Sequence, residues 1–433
     1  MLRGGERLRI HVVEPGQTVY GIARQYGAAA EDLLRYNGLS ADDRLAVGQS
    51  LLILYPSETV TAQEGDTLFS LARRYGLSVW DLQQKNPQLG GGTVLRAGEK
   101  LTVALEEQGT RQTVVSGYAY PFAQEAVLRG ILPYATDLVP FSYGIAEDGG
   151  LLSLNDERLV RLAREYGARP VLHLSTVTEE GRFSTERAAA VLASPQKQQT
   201  LASDIVRRMR EMGYEGLDVD FEYVGGENAA AYSAFVGYLR QRVNAEGWEL
   251  TVALAPKVSA DQPGVLYEGH DYRALAENAD RVLLMTYEWG YTYGPPMAVA
   301  PVPSVRRVLD YAVTEMAPEK ILMGFPNYGY DWALPYEAGT TRAQSISNEY
   351  AVRLAVRVGA EIQFDESARC PYFHYTAEDG VVHEVWFEDA RSCLAKYNLV
   401  TEYGFAGLGF WNFMRPFTVG FSLLTQMFRA AKE

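Results

Sequence analysis

Short apolar runs alternate with longer helical patterns through the C-terminal three-quarters of the chain. The eight runs are TVVSGYAYP, DLVPFSYGI, ARPVLHLST, EGLDVDFEY, ELTVALAP, DRVLLMTYE, KILMGFPNYG and GFAGLGFWN. This alternation is typical of βα units whose parallel strands share one sheet. Eight units in about 300 residues predict the α/β class and a (β/α)8 TIM barrel, which we place at residues 111–433.

The stretch between the seventh and eighth predicted strands, about residues 328–388, is too long for one loop. It contains the strand-like segments EIQFD, CPYFHYT and VVHEVWFED, and a helical pattern around residues 349–358. We therefore predict a small antiparallel insertion between strands 7 and 8, on the C-terminal side of the barrel, where active sites of this fold lie.

The chain before the barrel repeats itself with an offset of 49 or 50 residues. The matching segments are Gly-Gln-Thr and Gly-Asp-Thr at 16–18 and 65–67, Ile-Ala-Arg and Leu-Ala-Arg at 22–24 and 71–73, Asn37 and Asn86, and GQSL and GEKL at 48–51 and 98–101. Each unit predicts a strand, two helices and a closing strand, with Thr18 and Thr67 as N-caps. We place these two small βααβ domains at 8–55 and 59–105.

Three acidic residues alternate with apolar ones within the fourth predicted strand. Asp218, Asp220 and Glu222 are two residues apart, so their side chains share one face of the strand. At a spacing of about 6–7 Å three buried carboxyls cannot all ionise freely, so at least one should hold a proton near neutral pH. A general acid requires such a carboxyl group.

Two other interpretations of this acidic row remain open. On an exposed edge strand the three acids would simply be solvated, but a strand within a closed barrel has no edge. A metal site is the second alternative, although no histidine in the segment completes a set of ligands. The sequence thus favours acid–base chemistry, and we expect neither a metal nor another cofactor.

The two N-terminal repeats resemble the LysM family. They share its G-[QD]-T turn, its [IL]-A-x-x-Y-G helix end, the Asn before a loop, and the closing G-[QE]-x-L. The resemblance implies binding of chains that contain N-acetylglucosamine, such as peptidoglycan or chitin; a generic βααβ interaction module is the alternative. We expect wall contacts at the two turns and in the loops after Asn37 and Asn86. The residues chosen for this role are Gln17, Thr18, Asp66, Thr67, Gly38 and Leu39.

The acidic row resembles the D-G-x-D-x-D-x-E motif of glycoside hydrolase family 18, and the resemblance covers residues 113–433. The first acid of the motif is Glu215 here. The resemblance implies a retaining, substrate-assisted mechanism, in which Glu222 protonates the glycosidic oxygen. The substrate's own 2-acetamido oxygen then closes on the anomeric carbon to form an oxazolinium ion. Asp220 would orient the acetamide N–H, and Asp218 would hydrogen-bond Asp220.

Further candidates lie at the ends of other predicted strands. MTYE in the sixth run matches the family's M-x-Y-D, which implies that Tyr287 hydrogen-bonds the acetamide carbonyl and that Glu288 replaces the usual Asp. Trp411 is expected to form the hydrophobic floor of the −1 sugar subsite. The remaining candidate substrate-binding residues are Met285, Tyr118, Lys257 and Asn327. The third run has HLST in place of the family's S-x-G-G, and we interpret His173 as a hydrogen-bonded barrel residue.

Charge and hydropathy limit the classes of partner that we expect for this protein. The net charge of −14 argues against a nucleic-acid partner, and no apolar run approaches the length of a membrane span. The two cysteines, Cys370 and Cys393, are interpreted as free thiols. The start of the chain, MLRGGERLRIHVV, has neither the apolar region nor the cleavage site of a signal peptide. We expect a spore or cell-wall location without a cleavable signal peptide, and the oligomeric state stays open.

Paired LysM units before a family-18 barrel resemble the spore-associated N-acetylglucosaminidases of this family, and MTYEWGYTYGPPMAVAP carries most of that resemblance. The resemblance implies hydrolysis of N-acetylglucosamine linkages in spore-cortex peptidoglycan fragments. A chitinase is one alternative. A carbohydrate-binding lectin on an inactive barrel is another, but inactive relatives generally lose the acid and Glu222 is present.

Overall fold

The computed structural model describes residues 9–432. The predicted start of the first repeat at Leu8, the signal-peptide prediction for the first residues, and the last residue, Glu433, fall wholly or partly outside the described residues. Among the described residues, no helix combines the length and the apolar character needed to cross a membrane.

Each N-terminal repeat forms a two-stranded antiparallel sheet with two helices. The first repeat consists of β1 (Arg9–Val12), α1 (Val19–Tyr26), α2 (Ala30–Tyr36) and β2 (Ser50–Ile53). The second consists of β3 (Pro56–Thr61), α3 (Leu68–Tyr75), α4 (Val79–Gln84), a 3-10 turn at Pro87–Leu89, and β4 (Lys100–Leu105). The order of elements is the βααβ order that the repeats predict.

The same residue types begin and end the first helix of each repeat. The hydroxyls of Thr18 and Thr67 each accept a hydrogen bond from the backbone N–H three residues later, which satisfies a free donor at the helix start. Both helices end at a glycine in the left-handed conformation, Gly27 with φ 65° and Gly76 with φ 66°. A side chain at these positions would strain the backbone.

Strands and helices alternate through the first seven units of the barrel. The strands are β5 (Gln112–Ala119), β6 (Asp137–Pro140), β7 (Arg169–Ser175), β8 (Gly216–Asp220), β9 (Glu249–Leu254), β10 (Arg281–Leu284) and β11 (Ile321–Pro326). The helices are α5 (Glu125–Ile131), α6 (Glu157–Glu165), α7 (Thr185–Leu192), α8 (Pro195–Met212), α9 (Ala229–Asn244), α10 (Val265–Glu268), α11 (Tyr272–Glu277) and α12 (Val302–Glu315). Short 3-10 turns lie at Leu132–Tyr134, Gly226–Asn228 and Pro318–Lys320.

After β11 the chain forms a five-stranded antiparallel sheet with one helix. Its elements are β12 (Gly329–Leu334), β13 (Gln344–Ile346), α13 (Asn348–Val358), β14 (Gln363–Asp365), β15 (Cys370–Thr376) and β16 (Val382–Trp386). The strand order is β13-β12-β16-β15-β14. An antiparallel insertion with a helix is therefore present between the seventh and eighth barrel strands.

The chain then returns to the barrel with α14 (Ala390–Tyr403), β17 (Gly407–Trp411), α15 (Thr418–Met427) and the short β18 (Arg429–Ala430). Strand β17 pairs in parallel with both β11 and β5, which closes the eight-stranded barrel. Each of the eight strands coincides with one of the eight apolar runs, with β5 starting one residue before its run, so the predicted (β/α)8 barrel is confirmed.

The two repeats pack directly on the barrel. The Gln84 amide donates a buried hydrogen bond of 2.8 Å to the Pro133 carbonyl, and the Tyr166 hydroxyl donates one of 2.7 Å to the Gly91 carbonyl. Apolar residues from the repeats join the same buried cluster as the barrel core; they are Tyr36, Leu52, Leu54 and Leu105. Removal of the repeats would therefore expose apolar surface on the barrel.

Candidate active site

The row of acids lies on β8, which is hydrogen-bonded between β7 and β9. Asp218 and Asp220 are buried within the strand, and Glu222 follows directly after its C-terminal end. Phe221, which points the other way, is fully buried and stacks on Tyr232 of α9 at 5.4 Å between ring centroids. The alternation of polar and apolar residues thus directs the acids into the barrel and the apolar side chains toward the helices.

Two side chains from other barrel strands hold the carboxylate of Asp218. Oδ2 accepts a hydrogen bond of 2.8 Å from the Tyr118 hydroxyl on β5 and lies 2.7 Å from Nδ1 of His173 on β7. The expected hydrogen bond between Asp218 and Asp220 is absent, because Oδ1 of each residue has no hydrogen-bond partner among the described residues. Asp218 is anchored across the barrel instead of along its own strand.

Burial changes the proton affinity of the other two acids. It raises the pKa of Glu222 to about 7, and the negative charge of Glu288 adds to this effect. Burial also raises the pKa of Asp220 well above its ordinary value, with a further contribution from Glu222. Removal from water disfavours the charged form of a carboxyl, and a neighbouring negative charge disfavours it further. Near neutral pH the row therefore holds at least one proton.

Glu288 is positioned by the insertion. Its carboxylate accepts a short hydrogen bond from the Tyr328 hydroxyl and one of 3.1 Å from the Tyr330 hydroxyl, and both tyrosines lie at the start of the insertion. The backbone of Glu288 has φ 67°, a conformation that few residues other than glycine adopt. A strained residue with two hydroxyl partners is characteristic of a functional position. The two tyrosines were not identified from the sequence, because their contacts with Glu288 join residues 40 and 42 positions away.

Tyr287 lies in the same space as the acids. Burial, followed by the charges of Asp220 and Glu222, raises the pKa of its hydroxyl well above 10, so the group remains a hydrogen-bond donor. Gly324 on β11 makes room for this ring, because a Cβ there would lie 2.8 Å from Cε1 of Tyr287. Met285 is half-buried in the apolar cluster that also contains Trp411.

Trp411 ends β17 within a group of aromatic rings. Its ring centroid lies 5.5 Å from that of Tyr118, 5.1 Å from that of Phe141 and 6.2 Å from that of Tyr120. Tyr120 in turn stacks on Phe122, which is 74% exposed. Phe141, Tyr120 and Phe122 were not predicted from the sequence, although their positions just after β5 and β6 were a usable signal.

Two predicted substrate-binding residues have other hydrogen-bond partners. The Lys257 ammonium donates to the carbonyls of Ala260 and His270, each at 3.0 Å. The fully buried Asn327 donates to two carbonyls of the loop after β17, those of residues 412 and 415, each at 2.9 Å. Both side chains hold loops at the mouth of the barrel, since buried carbonyls require donors. Direct contact of Lys257 and Asn327 with sugar stays a prediction.

The turn residues predicted for wall binding stabilise the turns themselves. Oε1 of Gln17 accepts from the backbone N–H of Glu14 and lies 2.7 Å from Nε2 of His11. Asp66 accepts hydrogen bonds of 2.9 Å from the backbone N–H of residue 63 and from the Arg74 guanidinium. Since Thr18 and Thr67 cap helices, all four side chains already have partners within their own repeat.

The loop after Asn37 faces the catalytic part of the chain. A Cβ on Gly38 would lie 2.8 Å from Oγ1 of Thr418, and Gly38 and Leu39 line a cavity shared with α13. By contrast, two aromatic side chains next to the turns, Tyr20 and Phe69, are 60% and 68% exposed. They occupy equivalent positions in the two repeats, at an offset of 49, and the sequence analysis did not select them.

Within residues 9–432 no group of three or more His, Cys, Asp or Glu side chains has an arrangement that could hold a metal ion. The cysteines Cys370 and Cys393 are buried and free.

Comparison with known proteins agrees with this architecture. The model of the glycosyl hydrolases family 18 matches residues 180–415, and that of the LysM domain matches residues 11–54 and 60–104. A cortical fragment-lytic enzyme of Bacillus subtilis (strain 168) is 37% identical over 98% of this chain and 99% of its own length. The crystal structure of the Bacillus cereus spore cortex-lytic enzyme SleL matches with a TM-score of 0.83 and 33% identity, and covers 98% of this chain and 99% of that one.

A chitinase from Chromobacterium violaceum matches with a TM-score of 0.66 and 26% identity over 72% of this chain and 98% of its own. The family-18 model covers the barrel from residue 180 onward, and the likeness to the cortical fragment-lytic enzyme extends over the repeats as well. The resemblance found in the sequence is confirmed: this chain belongs to the glycosyl hydrolases of family 18 and carries two LysM domains before its catalytic barrel.

Proposed function

We propose that this protein hydrolyses N-acetylglucosamine linkages in spore-cortex peptidoglycan fragments, with retention of configuration and assistance from the substrate. The observation that carries the proposal is the buried acidic row at the C-terminal end of β8, in which the pKa of Glu222 is raised to about 7. Relatives from Bacillus subtilis and Bacillus anthracis that match along almost the whole chain are named cortical fragment-lytic enzymes.

Glu222 is the general acid and then the general base. A carboxyl whose pKa lies near the working pH gives its proton to the glycosidic oxygen and can afterwards take one from water. Its place just after the strand, at the mouth of the barrel, is where substrate reaches the acids.

The nucleophile in this proposal is the 2-acetamido oxygen of the sugar in the −1 subsite. Asp220 accepts the acetamide N–H and stabilises the positive charge of the oxazolinium ion; its Oδ1 is buried and has no other partner among the described residues. Tyr287 donates a hydrogen bond to the acetamide carbonyl, which holds the oxygen toward the anomeric carbon. Substrates without the acetamido group lack the nucleophile.

Trp411 forms the floor of the −1 subsite. The aromatic rings around it restrict its movement, which supports a stacking role against the apolar face of a sugar ring. Asn327 contributes indirectly, because its amide holds the loop that follows Trp411. Lys257 has the same indirect role in the loop after β9.

The LysM domains bind the insoluble wall in this proposal. Two weak sugar-binding modules on one chain raise the local concentration of the catalytic site at its substrate. We assign the contact to the exposed backbone of the turns at 16–18 and 65–67, together with the exposed rings of Tyr20 and Phe69. This binding gives the protein its location on the spore or cell wall.

A chitinase is the second candidate, because chitinase structures share the barrel. Mass spectrometry of the products from purified cortex fragments and from chitin oligomers separates the two. We expect new reducing-end N-acetylglucosamine on cortex fragments, at a kcat/KM at least tenfold above that for chitin oligomers. The reverse preference would favour the chitinase, and cleavage of neither polymer would favour a lectin.

A further inference from the structure

The ring of His173 lies between the two buried aspartates of the active site. Nδ1 is 2.7 Å from Oδ2 of Asp218, whereas Nε2 is 3.7 Å from Oδ2 of Asp220 and has no hydrogen-bond partner among the described residues. The side chain is fully buried, so solvent does not satisfy this nitrogen. A buried nitrogen that faces a carboxyl and lacks a partner requires an explanation.

The ring cannot turn to find another partner. It stacks on Phe141 with 4.8 Å between ring centroids and meets the edge of Tyr118 at 5.3 Å. Since Oδ2 of Asp218 also accepts the Tyr118 hydroxyl, this oxygen acts as an acceptor, and Nδ1 of His173 is the donor to it. The orientation of the ring therefore fixes Nε2 toward Asp220.

The titratable groups that surround the ring come from three directions. Tyr118 contacts it from β5, Asp218 and Asp220 from β8, and Tyr287 lies beyond these acids at the end of β10. The negative charge of Glu222 raises the pKa of Asp220. The neighbours are acids and phenols, so a positive charge on the ring would be stabilised by the row.

We propose that His173 is a positioning residue that exchanges a proton with Asp220 during catalysis. As positive charge develops on the sugar, the Asp220 carboxyl approaches Nε2 from its resting distance of 3.7 Å to hydrogen-bond distance. Its O–H bond then breaks and an N–H bond forms at Nε2. Asp220 then carries the negative charge that stabilises the oxazolinium ion, and the ring becomes an imidazolium that Asp218 stabilises. The proton returns to Asp220 when water opens the intermediate, so the cycle leaves no net change.

This inference rests on the proposed function and adds a residue that the sequence analysis interpreted as structural. Burial raises the pKa of Asp220, and a positive His173 opposes that effect, so the charges of the two groups depend on each other. A purely structural histidine would hold Asp218 through Nδ1 and leave Asp220 unaffected. The two interpretations differ in the role of Nε2, the nitrogen that faces Asp220.

Two substitutions test the roles of Nδ1 and Nε2 of His173 separately. His173→Asn keeps an amide N–H near the position of Nδ1, and therefore the donor to Asp218, but removes the group that faces Asp220. His173→Gln places a polar but non-titrating amide toward Asp220. His374→Asn is the matched control, because His374 is on β15 of the insertion with 46% of its side chain exposed.

We expect both His173 variants to lower kcat on soluble cortex fragments about a hundredfold at neutral pH, with KM changed less than threefold. The ratio of variant to unmodified kcat should rise with pH, because Asp220 then ionises without help. A ratio that is independent of pH, or a loss that appears only in KM, would overturn the proposal. If the unmodified enzyme cleaves the fragments but the ratio of variant to unmodified kcat does not change with pH, the proposed proton exchange is wrong while the proposed function stands.

A measurement on the unmodified protein does not depend on the variants folding. The full chain labelled with nitrogen-15 in its histidines is compared with and without a thiazoline analogue of the oxazolinium ion. We expect the His173 nitrogens to change from a neutral to an imidazolium pattern when the analogue binds. An unchanged neutral pattern in the complex would overturn the proposal.

Discussion

At the scale of single residues, Glu222 combines a catalytic advantage with a cost in stability. Its pKa is about 7 in the folded protein and near 4.5 in an unfolded chain, so the folded state binds the extra proton between these values. Stability from this group is thus fully present below about pH 4.5 and is lost as pH rises toward 7. The loss amounts to about 2–3 kcal/mol at neutral pH.

Glu222→Gln should therefore stabilise the fold above pH 7, because an amide does not ionise. We expect its free energy of unfolding to equal that of the unmodified protein near pH 4.5 and to exceed it by about 2–3 kcal/mol at pH 8. Urea unfolding at the two pH values measures this. A Glu222→Gln protein that is less stable than the unmodified protein at pH 8 would contradict the burial of the Glu222 charge.

Glu288→Gln tests the electrostatic effect of its neighbour. The amide oxygen can still accept from Tyr328 and Tyr330, but the negative charge that raises the pKa of Glu222 is removed. Since the acid must be protonated to act, the alkaline limb of the kcat profile should move to lower pH. Activity at pH 8 should fall by more than activity at pH 5. Glu227→Gln, in the exposed loop after β8, is the control and should leave the limb in place.

Residue patterns predicted part of this site. The period of two along one strand sufficed to place Asp218, Asp220 and Glu222 on one face. It could not show that His173 and Tyr118 hold Asp218, because these contacts join residues 45 and 100 positions away. Contacts between strands depend on barrel register, which one sequence does not specify.

At the scale of secondary-structure elements, loops rather than strands complete the cleft. The eight strands were predictable because each is a short apolar run between helical patterns. The hydrogen-bond partners of Asn327 were not predictable, because an asparagine at a strand end can equally bind sugar or hold a neighbouring loop. Its buried amide has two carbonyl acceptors in the loop after β17.

Asn327→Ala should loosen this loop and Trp411 with it. Two partly buried carbonyls lose their donor, at a cost of up to about 1–3 kcal/mol each. We expect a lower midpoint of urea unfolding and a KM at least threefold higher on soluble fragments. Asn278→Ala is the comparison, since the Asn278 amide donates to one carbonyl at the end of a helix remote from Trp411. Equal KM values for the two variants would contradict the assigned role.

At the scale of the whole molecule, the LysM domains are packed on the barrel by buried contacts. Deletion of residues 1–107 would be a natural test of wall binding from the sequence alone, but it would uncover apolar residues of the shared core. Sequence repeats predicted the two domains without indicating how they dock, because docking depends on single contacts such as that between Gln84 and the carbonyl of Pro133. Substitutions of exposed residues therefore test wall binding more directly than this deletion.

The double variant Tyr20→Ser and Phe69→Ser should weaken binding to insoluble cortex while leaving kcat/KM on soluble fragments unchanged. Two stacking contacts of about 0.5–1.5 kcal/mol each correspond to roughly a tenfold change in affinity. Co-sedimentation with purified cortex measures this. Tyr350→Ser, an exposed tyrosine on α13, is the control. Unchanged co-sedimentation would show that the rings of Tyr20 and Phe69 do not contact the wall.

The central claim is that one carboxyl just after β8, that of Glu222, carries the proton for cleavage of an N-acetylglucosamine linkage. The most direct test is turnover of purified cortex fragments by Glu222→Gln, with co-sedimentation on insoluble cortex measured on the same preparation. Glu215→Gln, at the opposite end of the same run, is the matched control. We predict that Glu222→Gln lowers kcat at least a hundredfold with cortex binding unchanged, and that Glu215→Gln keeps full activity. Turnover of Glu222→Gln within tenfold of the unmodified enzyme would contradict the account.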